Sequence, residues 1–590
     1  MNFKKPFYLA GFILHLLMVS CPAPMPEQSV KEVMDKVVSR FYSDFNLSQL
    51  DTIGTDFILQ YLSEEEKNVL STEYWVFEVN VPVTVSVMRD SAQQVAPFWL
   101  EETGFQKTPL RVKNSHSVYE VWQKDFEAGR VNLGINGFDK HRPVYFISVV
   151  AQDMEDELQI TPVFPEQQHF ETMEIGAFTY HDWSGLTMTE VPEELEGQVL
   201  FTTIRGRARE AHLIGAFRNT DFPSSEKPDQ VLLTWSGDPE TTIDIQWRTS
   251  SSVDKGVVEY WVRDSGDTLT MSAERFVMED RLLQNDRFVY RFTAKVTGLE
   301  AGTTYEYRVG SDGALSDVYH FSTSKSGTNA FSFLWTGDVH NSEAWGNMMK
   351  DAYQRHPESA FYIAAGDLVN TGLYRNDWDQ LMMYPGDVFA HIPFMAVPGN
   401  HDSQDGLGAW MYQEMFSYYD NGPSEGMSEL TYSFAYQNAL FLMIDVTQPI
   451  EEQTAWIEDQ LKSSKQEWKF AVFHFPPYNS VEFYQDIIDE WGPLFDRYHV
   501  DMVISGHFHY YLRTKPIHAG KVEDNPAEGT IYLMSVGTTG KNKEMKPAEY
   551  AEIQFGADHL YQHVEIVGSS LRYTSYGADG ETKDSLLIQK

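Results

Sequence analysis

The feature that most constrains this chain begins at Phe331. From there, short apolar runs end in polar motifs and alternate with helical patterns such as "DVFAHIPF" and "QTAWIEDQLKSS". Strands alternating with helices predict an α/β arrangement, with ligands gathering beyond the carboxyl ends of the strands. Five such ends carry chemistry. "FSFLWTGDVH" delivers Asp338 and His340, "AFYIAAGDLVN" delivers Asp367, and "FMAVPGNHD" delivers Asn400, His401 and Asp402. "KFAVFHFPPY" adds His474, and "DMVISGHFHYYLR" adds His507 and His509. A single Gly-Asp turn or a single histidine in such a place is ordinary. Five in succession, mixing carboxylate, amide and imidazole, make the donor set that hard and borderline metal cations prefer. With one cysteine in the chain, a structural zinc site built on thiolates is excluded.

The rest of the chain is organised around this block. At 590 residues it is far too long for one core, and about three to five domains are expected. Its apolar fraction of 42% and aromatic fraction of 14% mark it as globular. The balance of 45 basic against 86 acidic side chains, −41 overall, repels nucleic acid and anionic lipid at long range, so no nucleic-acid partner is expected. Residues 1–20 read as an export signal, with Lys4 and Lys5 before an apolar run too short to span a bilayer comfortably. "LMVSC" then resembles the bacterial lipobox, which implies a lipid on Cys21 and a membrane-anchored, exported envelope lipoprotein; a plain signal peptide is the alternative. Residues 30–220 open on "SVKEVMDKVVSRF", where Ser29 and Glu32 stand in capping-box positions and Val30, Val33, Met34, Val37, Val38 and Phe41 share a helical face. Strand-rich stretches such as "YWVFEVNVPVTVSV" follow, giving an α+β or mostly β region to which no chemistry is assigned. Between 225 and 325 lies a run of short strands. In one of them Ile243, Ile245 and Trp247 alternate, so one face is expected buried and the other wet. "LEAGTTYEYRVG" resembles the late strands of a fibronectin type III sandwich, with Tyr305 as its tyrosine corner.

The five motifs in order, DxH, GD, GNH(D/E), H and GHxH, resemble the calcineurin-like metallophosphoesterase superfamily. The preceding β-sandwich, and "GHFHYYLR" with Tyr511 and Arg513, are similar to purple acid phosphatases. The resemblance runs from about 225 to 590 and leaves the region before it outside. It implies a multidomain protein: an α/β metallophosphoesterase sandwich of two mixed sheets flanked by helices at 328–590, behind the β-sandwich and the N-terminal α+β region. It also implies two metal ions, iron, zinc or manganese. Asp338, His340 and His509 would hold one, Asn400, His474 and His507 the other, and Asp367 would bridge them. A hydroxide shared by the metals would attack phosphorus in line, with His401 as general acid oriented by Asp402. Asn400, His401 and Tyr511 would contact substrate, and Arg513 would assist catalysis. The implied activity is hydrolysis of small phosphate esters, monoesters ahead of diesters or nucleotides; a non-catalytic surface-binding protein is the alternative of another class. One departure stands out. Purple acid phosphatases lack the histidine of the first motif and bind ferric iron through a tyrosine after the second. Here His340 is present and Asn370 occupies the tyrosine's place, with Tyr374 four residues on. That predicts a colourless enzyme using divalent metals.

Overall fold

The computed structural model describes residues 28–590 apart from 166–167, 181–185, 204, 312, 328, 404–407, 482–483, 539–544 and 557–558. The export signal and Cys21 lie outside the described residues. Among those described, no helix is long and apolar enough to cross a membrane.

The first region opens with the helix Val30–Asp44. Ser29 Oγ accepts from the Glu32 amide while the Glu32 carboxylate accepts from the Ser29 amide, completing the capping box. The face formed by Val30, Val33, Met34, Val37, Val38 and Phe41 is buried. Three shorter helices follow, and then a three-stranded and a seven-stranded sheet, both built from antiparallel pairs. Their shared core reaches into the next region through Leu282.

The second region is a β-sandwich. One sheet orders Asp229–Thr234, Thr242–Ser250, Phe288–Thr297 and Glu274–Glu279; the other centres on Val257–Val262 and Thr304–Ser311. Tyr305 closes a corner, its hydroxyl accepting from the Glu300 amide at 2.9 Å. The alternation read in Thr242–Ser250 does not leave a wet face, because every residue from Ile243 to Thr249 is buried. The polar face is covered by the third region: Asp244 accepts from Ser417 Oγ at 2.7 Å, and Arg248 pairs with Asp379 at 2.6 Å. One apolar core runs continuously from Trp247 in the sandwich to Phe441 and Tyr573 beyond it.

The third region is two mixed sheets packed face to face. The first runs Phe394–Val397, Tyr362–Ala365, Ala330–Thr336, Leu560–Val567, Ser570–Gly577, Thr582–Gln589, with the first three strands parallel. The second carries Ala439–Met443, Trp468–Val472, Met502–Ser505 and Ile531–Met534 in parallel succession. Both sheets therefore present carboxyl ends in one direction. The sheets meet there through a bridge between Asp338 and Val536. Gly337 makes that approach possible, since a Cβ on it would sit 1.9 Å from the Ser535 carbonyl oxygen.

Candidate metal centre

Each motif leaves its strand in a sharp turn, and the turns hold one another. The amides of Val339 and His340 both donate to the Asp367 carbonyl, at 3.0 and 2.9 Å, and the Asn341 amide donates to Leu368. The His507 amide donates to Asp338 Oδ2 at 2.7 Å, and the His401 amide to Asp367 Oδ1 at 2.9 Å. The cost appears in the backbone. His340, Asp367, His507 and His509 sit at φ of 49°, 51°, 83° and 52°. Each such left-handed non-glycine residue costs on the order of 1 kcal/mol or more and persists only where its surroundings over-determine it, as they do at ligand sites. Gly399 must be glycine for the same crowding: a Cβ there would lie 2.3 Å from Asp367 Oδ1.

The result is two donor clusters joined by one carboxylate. The ligand atoms of Asp338, His340 and His509 lie within 4.8 Å of one another, as do those of Asp367, His474 and His507. His340 Nε2 is 3.1 Å from His509 Nε2 and 3.9 Å from Asp367 Oδ2, and His474 Nε2 is 3.1 Å from that same Asp367 oxygen. Asp367 thus faces both groups. These donors fit metal ions on two grounds. Among the described residues, Asp338 Oδ1 and Asn400 Oδ1 are buried without a hydrogen-bond donor, an arrangement that is costly unless a cation satisfies it. And imidazole nitrogens converge on one another and on carboxylate oxygens where ordinary packing would separate them.

Electrostatics follow from this crowding. Burial opposes ionisation of Asp338, but His509 and His474 hold its carboxyl down at about 2. Burial likewise opposes charge on Asp367, and His474 and His401 keep it well below the usual carboxylate range. Burial, with His401 beside it, lowers His340 to about 4, whereas Asp367 and Asp338 outweigh burial and raise His474 to about 9.

His401 and Asp402 part company. Asp402 does not orient the imidazole. Its Oδ2 accepts from the amides of Leu368 and Gly399, and its Oδ1 from Val369, at 2.9 to 3.0 Å. It is buried and ties the loop after Asp367 to the loop carrying Asn400. Burial, then the charge of Asp367, push its carboxyl up to about 8 against those three donors. The partner of His401 Nδ1 is the Asn370 carbonyl, at 2.8 Å. Asn370 is a positioning residue that sequence reasoning treated only as a missing tyrosine. Its side-chain amide donates to the His340 carbonyl at 3.1 Å, so it holds the backbone of one histidine and the ring of the other.

Tyr511 and Arg513 also depart from expectation. The Tyr511 hydroxyl donates to Asp584 Oδ2 at 2.7 Å, and Arg513 forks onto both Asp584 oxygens at 2.6 and 3.0 Å. Both are buried and anchor the C-terminal hairpin rather than a substrate. Tyr374 does not reach the donors as a substitute tyrosinate; the Arg218 guanidinium stacks 3.7 Å from its ring centroid. Tyr374 instead walls a cavity of about 260 Å³, shared with Leu373, Trp410, Arg209 and Leu282, where all three regions meet.

Two packed mixed sheets with seven donors at their common carboxyl edge define the calcineurin-like phosphoesterases, and residues 331–511 match that family. Residues 228–323 match the purple acid phosphatase N-terminal domain, so the chain has purple acid phosphatase architecture with a first motif that carries histidine. Purple acid phosphatase 18 of Arabidopsis thaliana is 24% identical over 56% of this chain and 75% of its own length. Fe(3+)-Zn(2+) purple acid phosphatase 12 of the same plant is 24% identical over 50% of this chain and 66% of its own. The solved purple acid phosphatase PPD1 from yellow lupin seeds superposes with a TM-score of 0.56 at 15% identity, covering 87% of this chain and 93% of that one. Residues 228–590 alone cannot account for 87% of the chain, so the likeness of fold extends into the N-terminal region, which the sequence had left outside. Residues 331–511 thus form a calcineurin-like phosphoesterase domain behind a purple acid phosphatase N-terminal domain.

Proposed function

We propose that this phosphoesterase hydrolyses phosphate monoesters outside the cytoplasm, using a dinuclear centre with His401 as the proton donor. The observation that carries the reading is Asp367, shared by two donor clusters and bonded to the backbone of His401. Asp338, His340 and His509 would hold one cation, Asn400, His474 and His507 the other. Metal ions bound there would neutralise phosphoryl oxygens and make bound water acidic enough to attack. The remaining work belongs to side chains. A carbonyl only accepts, so the Nδ1 proton of His401 points at Asn370. A second proton, when present, resides on Nε2, and that is the proton available to a leaving oxygen. Asp402 fixes the separation of the two loops that carry Asp367 and His401. The absence of a tyrosine at 370 supports divalent metals such as zinc or manganese, with iron as a further occupant.

A diesterase reading rests on one observation: the cavity walled by Leu373 and Tyr374 lies next in sequence to Gly372, whose amide donates to the His401 carbonyl at 2.8 Å. The test is turnover of p-nitrophenyl phosphate against its bis ester by metal-loaded protein. Preference for the monoester supports the proposal; preference for the diester replaces it, and activity on neither leaves the binding-protein alternative.

A further inference from the structure

Away from these residues, the turn at the end of helix Glu343–Arg355 packs on strand Leu560–Val567 in an unusual way. His356, which caps the helix, stacks on His563 with ring centroids 4.1 Å apart. Glu358 comes two residues later and turns its carboxylate toward both. Its Oε1 lies 3.7 Å from His356 Nδ1 and 3.6 Å from His563 Nε2, and all three ligand atoms fall within 4.8 Å of one another. His563 is 4% exposed, and its Nε2 is buried with no hydrogen-bond partner among the described residues.

An ion pair between protonated histidine and Glu358 would explain the approach, but charge is disfavoured here. Burial lowers both imidazoles, His563 to about 3 with His356 opposing it further, and the favourable charges of Glu358 and Glu565 do not restore His356. Two neutral imidazoles therefore present lone pairs beside a carboxylate. That is the nitrogen–nitrogen–oxygen set which, with a water, completes a tetrahedral zinc site. With zinc–ligand bonds of about 2.0–2.2 Å, donors stand roughly 3.3–3.5 Å apart, so Glu358 closes on each imidazole by a few tenths of an ångström, and the His356 ring turns out of its stack on His563 to aim its lone pair at the same ion. Glu358, with its side chain 58% exposed, has the freedom to close.

We propose that His356, Glu358 and His563 bind one divalent transition-metal ion, zinc by its donor set, at a site separate from the catalytic centre. The ion would staple the end of helix Glu343–Arg355 to the strand that pairs with Ala330–Thr336, the strand leading to Asp338. This inference does not depend on the substrate proposed above. The test strips full-length protein with chelator, re-equilibrates it with zinc and counts zinc per chain by elemental analysis. Glu358→Gln and His563→Ala are each expected to bind one ion fewer than the parent, to keep p-nitrophenyl phosphate turnover, and to lose part of the zinc-dependent rise in melting temperature. Because Glu358 is exposed, its variant does not fail through misfolding. Equal zinc counts in the parent and both variants overturn the proposal, and so does a variant that loses zinc together with turnover.

Discussion

His401 sits at the point where the account is most exposed to experiment. If it delivers the leaving-group proton, His401→Ala retains metal but loses roughly 10²–10⁴-fold in turnover. The loss shrinks for p-nitrophenyl phosphate relative to an alkyl phosphate, because a stable leaving anion needs less protonation. Equal losses on both substrates rule that role out. Asp402 makes the complementary case. Replacing it by alanine strands three buried amides, a cost of at least about 2 kcal/mol, measurable as a drop in denaturant midpoint. Asp402→Asn keeps one of the two acceptor oxygens, and because the carboxylate does not touch the imidazole, it should lose stability without the leaving-group dependence that marks loss of His401. His474 supplies a pH prediction. Raised to about 9 in the metal-free chain, it holds a proton at neutral pH that a metal must displace. Uptake at pH 7.5 therefore releases protons, and affinity falls as pH falls; calorimetry in buffers of differing ionisation enthalpy counts them. Binding without proton release contradicts this.

At the scale of elements, the sequence reading placed all five motifs at strand ends because apolar runs and polar punctuation are local. It also gave the capping box of the first helix and the donor groups of both clusters. What it missed is non-local. The partner of Tyr511 and Arg513 is Asp584, on a hairpin far along the chain, and the motif that suggested substrate contact contains no trace of it. The role of Asp402 depends on backbone amides, which no side-chain pattern reveals. The wet face predicted for Thr242–Ser250 disappeared because period-two alternation cannot announce a neighbouring domain. That covered face now has a purpose. Arg248, buried, donates to Asp229 at 2.8 Å and to Asp379 at 2.6 Å, and Arg375 pairs with Asp286 at 3.0 Å. These ion pairs hold the helix Arg375–Met383 and, through it, the loop carrying Asn370. Arg248→Met leaves two carboxylates at a buried interface and should destabilise by about 3–5 kcal/mol, read as a lowered melting temperature. A change near zero would show that the sandwich does not brace the loop.

For the whole molecule, the charge of −41 and the lipobox-like run before Cys21 bear on where it works rather than how. Cys21→Ser should move the protein from the membrane to the soluble fraction of its host, and unchanged fractionation counts against the anchor. The colour of the purified protein reports on the centre as a unit. With Tyr374 stacked under Arg218 and Asn370 engaged with His340, iron-loaded protein should lack the visible band of tyrosinate ligation. A band lost in Tyr374→Phe would mean that the loop rearranges on metal binding. The central claim, however, is that Asp367 joins two metal sites. Anomalous diffraction from crystals of the zinc- or manganese-loaded protein tests it most directly. Two peaks roughly 3.5–4 Å apart on either side of the Asp367 carboxylate are predicted, one against Asp338, His340 and His509 and the other against Asn400, His474 and His507. A single peak, or a pair that does not share Asp367, would contradict the account.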